Sequence, residues 1–335
     1  MRAARSAAVV GLLALAAAGV SACGGPAAGS GAPAPTDVAW VATGASVTLP
    51  GSSLTPVDLA SRRAEPGVHV GSLPSAMTFT AGDKDLLVLS QGDDTLHAIN
   101  PVTHALSHAV TTGVEPDAVA VAPGGTGNRG IALVANLDSN SVTPVDLGTW
   151  RAGRPIAVGT EPVAIAVTTV NGATTALVVD FGSDTVTPIT LSTMQAGTPI
   201  AVGTSPEAIA VVGTQALVAN FGDQTLTPIS TTTLAPGAPI ALGVDPTGLA
   251  VAPSGSTLYV CGGASVVPVT VAGLAIGTPI TLPGAAQAIA LDASGSTAWV
   301  ALQAGGLIPV TLASGRVGTP IQLGGHPSAV VIAQH

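Results

Sequence analysis

Three acids stand at one recurring place in this chain: Glu115, Glu161 and Asp245 each sit directly before a proline, and His326 holds the equivalent place before Pro327. Carboxylates and an imidazole gathered at one mouth would be hard oxygen and nitrogen donors, the chemistry that holds a divalent cation or a cationic ligand. A second acidic series, Asp138, Asp184 and Asp223, falls with Asp93 and Asp94 in short polar segments, with Phe181 and Phe221 as apolar neighbours. The same pattern has a plainer reading. Asp, Asn and Gly are the residues that tight turns demand, and acids keep an Ala-rich surface soluble. His97, His104 and His108 form a third group, read as a scattered surface trio before a metal site. Other signatures are missing: there is no CxxCH, HExxH, GxSxG or P-loop, and Gly124-Gly125-Thr126-Gly127 opens no helix. Trp40, Trp150 and Trp299 are too few for quinone-type cofactor docking. No cofactor is expected, and a divalent cation is the one possibility left open.

The elements that would position these residues are read from the stretch Thr204 to Gly243. Ala208-Ile209-Ala210-Val211 alternates small with branched residues, so a strand there can bury both faces. Ala216-Leu217-Val218-Ala219 makes a second strand, Asn220 to Asp223 a turn, Leu226-Thr227-Pro228-Ile229 a third strand and Pro239 to Leu242 a fourth. Four short strands in one repeat describe an antiparallel meander. Two proline series count the copies. One opens the first strand at Pro74, Pro116, Pro162, Pro206, Pro246 and Pro327, with Ala286 in the sixth place. The other lies inside the third strand at Pro56, Pro144, Pro188, Pro228, Pro268 and Pro309, with Ala98 in the second place. Both series step by the same intervals of 40 to 46 residues.

The ends complete each other. The first copy, beginning near Asp37, lacks a first strand, and His326 to Ile332 is a first strand with nothing after it. The expected fold is therefore all-β: a seven-bladed β-propeller of four-stranded antiparallel blades, closed by the C-terminal strand pairing with the N-terminal blade.

The residues Ala132-Leu133-Val134-Ala135-Asn136, the matching run at 216–220, and Ser141 to Leu147 resemble the YVTN-type repeat of bacterial and archaeal surface propellers, as does Leu258-Tyr259-Val260-Cys261. The resemblance covers about residues 37–335. It implies scaffold and location rather than chemistry.

Before the repeats, Arg2 and Arg5 precede an apolar run from Ala7 to about Val20, and Val20-Ser21-Ala22-Cys23 resembles a lipobox. The expected organisation is a signal peptide over 1–22, a lipidated Cys23 with a Gly-, Ala- and Pro-rich tether to 36, and the propeller over 37–335. Cys261 is then the one remaining thiol, read as an inert core residue. Removing the leader takes Arg2 and Arg5 and no acid, moving the net charge from −9 to −11, which argues against nucleic acid. All seven remaining basic residues sort on or next to loops of one face, and the acids named above onto the other, giving an acidic face and a partly basic one. The sequence thus points to a monomer anchored by lipid outside a bacterial membrane or at the cell surface, acting as a binding or scaffold module for an envelope protein or small ligand. The alternative is a metal-assisted, lactonase-like hydrolase using the acidic channel mouth.

Overall fold

A computed structural model describes residues 38–44 and 53–333, so the leader, Cys23 and the tether lie outside the described residues. Seven antiparallel sheets follow one another along the chain. Each is a blade, numbered here from the N-terminus, whose strands run outward from the ring axis. Blade 4 has the longest hairpin, Pro162–Val170 with Ala173–Asp180, followed by Thr185–Thr190.

The alternation of small and branched residues does what its period requires. Ile209, Val211 and Val218 of blade 5 pack with Leu177 and Val179 of blade 4. Ala208, Ala210, Leu217 and Ala219, on the other face of the same strands, pack with Leu249, Leu258 and Val260 of blade 6. One apolar cluster of this kind fills each of the seven junctions between blades. Each fully buried Val, Ile or Leu contributes about 1.5–3 kcal/mol before entropy is counted. Trp40 and Trp299 lie opposite Pro56 and Pro309 in equivalent second strands, both buried.

The ring closes as the sequence requires. His326–Ile332 pairs antiparallel with Val38–Gly44, with Val41 opposite Val330 and Trp40 opposite Val331. Its Ser328 hydroxyl donates to Pro74 O at 3.0 Å, joining blade 1 to blade 2.

The outer strands differ from the expected continuous fourth strand. In blades 1, 3, 4, 6 and 7 the fourth position holds two two-residue pieces, such as Arg151–Ala152 and Ile156–Ala157, both paired with the third strand. In blade 5 one named piece remains, Ile240–Ala241, with an isolated bridge from Ile229 to Pro236. The cause is the third-strand proline, which has no N–H to give the outer strand. Its carbonyl still accepts, from Gly153 to Pro144, Gly197 to Pro188, Gly237 to Pro228, Gly277 to Pro268 and Gly318 to Pro309, at 2.7–2.8 Å. The chain then turns away before resuming the ladder. Blade 2 supplies the control. With Ala98 in the proline place, its outer strand is a single run, Leu106–Thr111, with one bulge at Ser107.

Candidate functional site

The loops that lead into each first strand, called straps here, meet the turns between second and third strands, so both lie at one face of the ring. Backbone bonds such as Leu137 N–H to Glu115 O at 2.8 Å join them, and turn side chains add bonds to the strap backbone. Glu115 N–H donates to Asp94 Oδ1 at 2.8 Å, Glu161 N–H to Asn140 Oδ1 at 2.8 Å and Ser205 N–H to Asp184 Oδ1 at 2.7 Å. Each bond crosses from one blade's turn to the next blade's strap. The residue before it is held by its own blade: Val114 N–H by Ser139 Oγ at 2.8 Å, Thr160 N–H by Ser183 Oγ at 3.1 Å, and Thr204 N–H by Asp223 Oδ2 at 2.6 Å. The residue before that, Gly113 or Gly203, donates to the buried Asn136 or Asn220 closing the second strand. A Cβ on Gly113 would stand 2.7 Å from Asn136 Cγ, so only glycine lets the strap lie that close.

These bonds explain a costly backbone. Glu115, Glu161 and Ser205 have φ near +50°, as do their partners Asp94, Asn140 and Asp184. Such left-handed residues cost roughly 1–2 kcal/mol each outside glycine. The anchored N–H groups offset that cost.

The sequence-predicted residues therefore occupy one face, but as separate contacts at successive blade junctions. Asp184 and Asp223 accept strap N–H groups, and Asp223 also takes the Thr204 hydroxyl, which holds its carboxyl below the usual range. Asp245 Oδ1 accepts from Gln224 Nε2 at 2.7 Å. His326 opens the closing strand and donates through Nδ1 to Gln303 O at 2.8 Å. Asp138 is exposed in the turn of blade 3. Phe221 is 38% exposed beside Asn220. Among the described residues no three His, Cys, Asp or Glu side chains come together so as to hold a metal ion.

The histidines are scattered as read, with His108 exposed on the outer strand and His104 half-buried, and the surface reading is corrected for His97 alone. His97 is buried, with no hydrogen-bond partner on either ring nitrogen, and burial lowers its pKa. His104 meets Trp40 edge to face at 5.0 Å, and His108 stacks on Trp150 at 4.2 Å. Gly124 to Gly127 lies between first and second strands, as read from the sequence. Cys261 is free, and burial pushes its thiol up to about 12.

Two features escaped the sequence reading. The first is a bulge in every first strand, at the residue after the strand-opening proline or Ala286. Those seven residues are Ser75, Asp117, Val163, Glu207, Thr247, Gln287 and Ser328. Their side chains bridge blades: Ser75 Oγ donates to Pro116 O at 2.9 Å, Thr247 Oγ1 to Ala286 O at 3.1 Å, and Asp117 Oδ1 accepts from Gln91 Nε2 at 2.6 Å. The signal was present as the residue following each marker. Ser75, Asp117 and Val163, in blades 2 to 4, are buried, whereas Glu207, Thr247, Gln287 and Ser328, in blades 5, 6, 7 and 1, are half-exposed. The innermost ring thus has a closed arc and an accessible polar arc.

The second is Asp180, which stands where Asn136 and Asn220 stand. Its Oδ2 accepts from Thr187 Oγ1 at 2.6 Å and Thr185 Oγ1 at 3.1 Å, but Oδ1 has no hydrogen-bond partner. Burial raises its pKa to about 6.

With this geometry described, the class is a closed seven-bladed β-propeller, and comparison with solved structures agrees. The chain is similar to a functionally unknown protein from Desulfotomaculum acetoxidans, at 16% identity and TM-score 0.76 over 90% of this chain and 99% of that one. It is also similar to a Bacteroides fragilis protein described as a candidate 6-phosphogluconolactonase, at 15% identity and TM-score 0.70 over 91% and 100%. Kuenenia stuttgartiensis hydrazine synthase gives 15% identity and TM-score 0.66 over 77% and 94%. At such identities the likeness is one of fold. No protein-family profile and no curated protein matches the chain.

Proposed function

We propose that this propeller is a binding module for a small, hydroxyl-rich ligand or an envelope partner, held outside a bacterial membrane by lipid on Cys23. The observation that carries the reading is the accessible polar arc of Glu207, Thr247, Gln287 and Ser328. At one register of four successive inner strands, the Gln287 amide supplies donors, and the Glu207 carboxylate and the lone pairs of the Thr247 and Ser328 hydroxyls, whose protons bridge blades, supply acceptors. Such a set is suited to hydroxyl groups rather than to a phosphate. Asp184 and Asp223, two of the acids expected at the channel mouth, accept backbone N–H groups and so lend rigidity to the face around that arc.

The test is a thermal-shift screen of polyols and sugars against the full chain. A ligand should raise the melting temperature by mass action, and Glu207→Gln should remove most of that rise without lowering the unliganded melting temperature. A screen without any shift, or a shift indifferent to Glu207→Gln, would sink the small-ligand reading. The hydrolase alternative keeps one support, the fold it shares with the Bacteroides protein. Turnover of a lactone panel with calcium or zinc added, abolished by Glu161→Ala, would favour it.

A further inference from the structure

We infer that the outer strand of blade 2, Leu106–Thr111, is an edge along which two copies of this chain pair antiparallel. Among the described residues it is the one outer strand longer than two residues, and it ends its sheet with no strand on its outer side. An unpaired edge carries a row of free N–H and C=O groups, and folded proteins blunt such edges with proline, charge or bulges. The other rims of this ring do so. Arg63 and Pro66, Arg151 and Pro155, Pro199, Pro239, Pro279, and Arg316 and Pro320 fall on or between their short outer pieces.

Blade 2 lacks both the proline and the formal charge. From Val102 to Val114 there is no Asp, Glu, Lys, Arg or proline, and the ionisable side chains there are His104 and His108. A bulge at Ser107 is the one interruption, and it leaves His108 to Thr111 in regular register with Thr95 to Ala98. Apolar exposure gathers here too. Five large apolar side chains are exposed among the described residues, and three of them flank or form this strand: Val102 at 84%, Leu106 at 53% and Val114 at 52%. The strand is held ready rather than loose, because His108 stacks on Trp150 of blade 3 and Ser107 Oγ donates to Ala98 O at 3.1 Å.

A second copy is the occupant that the charges select. The chain carries a net charge of −9, so two copies repel wherever acids or arginines face their own images. An antiparallel pair about a two-fold axis sets each residue against the same short segment of its partner, and like charges opposite one another destabilise a pair. An uncharged edge is where identical chains can meet without that penalty. The inference replaces the single-copy expectation drawn from the sequence.

Sedimentation equilibrium of the full chain in density-matched neutral detergent tests it. A two-chain mass is expected, with Leu106→Lys and Ala109→Lys each weakening association by about tenfold or more at unchanged melting temperature. Ile276→Lys, on an exposed apolar residue of the blade 6 rim, should leave the mass unchanged. A one-chain mass at the highest soluble concentration would overturn the inference, as would a two-chain mass that survives both edge lysines. Occupation of the edge by a different protein in place of a second copy would overturn it equally.

Discussion

Asp180 shows how one atom changes a repeated site. At Asn136 the side-chain amide donates to Thr143 Oγ1 at 2.9 Å while its oxygen accepts the strap Gly113 N–H. At Asn220 the same arrangement recurs with Thr225, Thr227 and Gly203. Asp180 replaces the donor by a second oxygen, leaving Oδ1 unpartnered beside Gly159. A carboxyl whose folded pKa is raised to about 6 binds its proton more tightly folded than unfolded, where the ordinary value is 3.8. Its stabilisation is therefore fully present below pH 4 and lost as the pH rises through 6, a difference of roughly 3 kcal/mol. Other acids act oppositely and at lower pH: hydrogen bonds from Thr126 hold Asp146 at about 2. Asp180→Asn should restore the pattern of blades 3 and 5, leave the melting temperature at pH 4 near that of the wild type and raise it at pH 7. Parallel melting profiles of the two proteins from pH 4 to 7 would show that the site does not titrate.

At the scale of the element, proline decides where an outer strand can form. Ala98→Pro gives blade 2 the residue its neighbours carry, and it should split Leu106–Thr111 at a cost of about 1–2 kcal/mol. Hydrogen exchange of amides 106–111 should then accelerate about tenfold while the other blades keep their protection. Unchanged protection there would refute the proline account. Much of this scale was legible beforehand. The two proline series gave blade number, strand order and first-strand starts, because proline is tolerated only at strand openings and where the ladder can spare a donor. What the series could not show was the consequence of the missing N–H: the sequence reading gives one fourth strand per blade, at places such as Pro239 to Leu242, and has no counterpart of the earlier outer pieces such as Arg151–Ala152. The strap contacts were hidden for another reason. Asp94 and Glu115, Asn140 and Glu161, Asp184 and Ser205, and Gln224 and Asp245 are each 21 residues apart, yet they meet only once two blades stand side by side. A constant spacing of that kind was visible. Its meaning as backbone capping was not, because carboxylates near a channel mouth suit ligands equally well on paper.

For the whole molecule, closure rests on the last strand. Ala329, Val330, Ile332 and Ala333 are buried in the clusters at blade 1, with Val330 and Ile332 alone contributing about 3–6 kcal/mol. Deleting residues 326–335 should open the ring and lower the melting temperature sharply, whereas an equal deletion within 24–35 should leave it unmoved. Differential scanning calorimetry distinguishes these outcomes, and equal melting of the two deletions would mean that the ring does not depend on its clasp. The two-faced arrangement of loops follows from the same closure, since it fixes which loops share a face.

Ser328 reaches Ala42 across 286 positions of chain. Such a distant partnership slows folding, because the ends must find each other before the first sheet gains its inner ribbon. A nascent copy leaving the ribosome therefore holds six assembled or assembling sheets and one that waits for His326–Ile332 to emerge. Should the chain be threaded through a narrow pore, that delay keeps it pliant until this segment has passed, and its arrival sets the moment at which the ring locks.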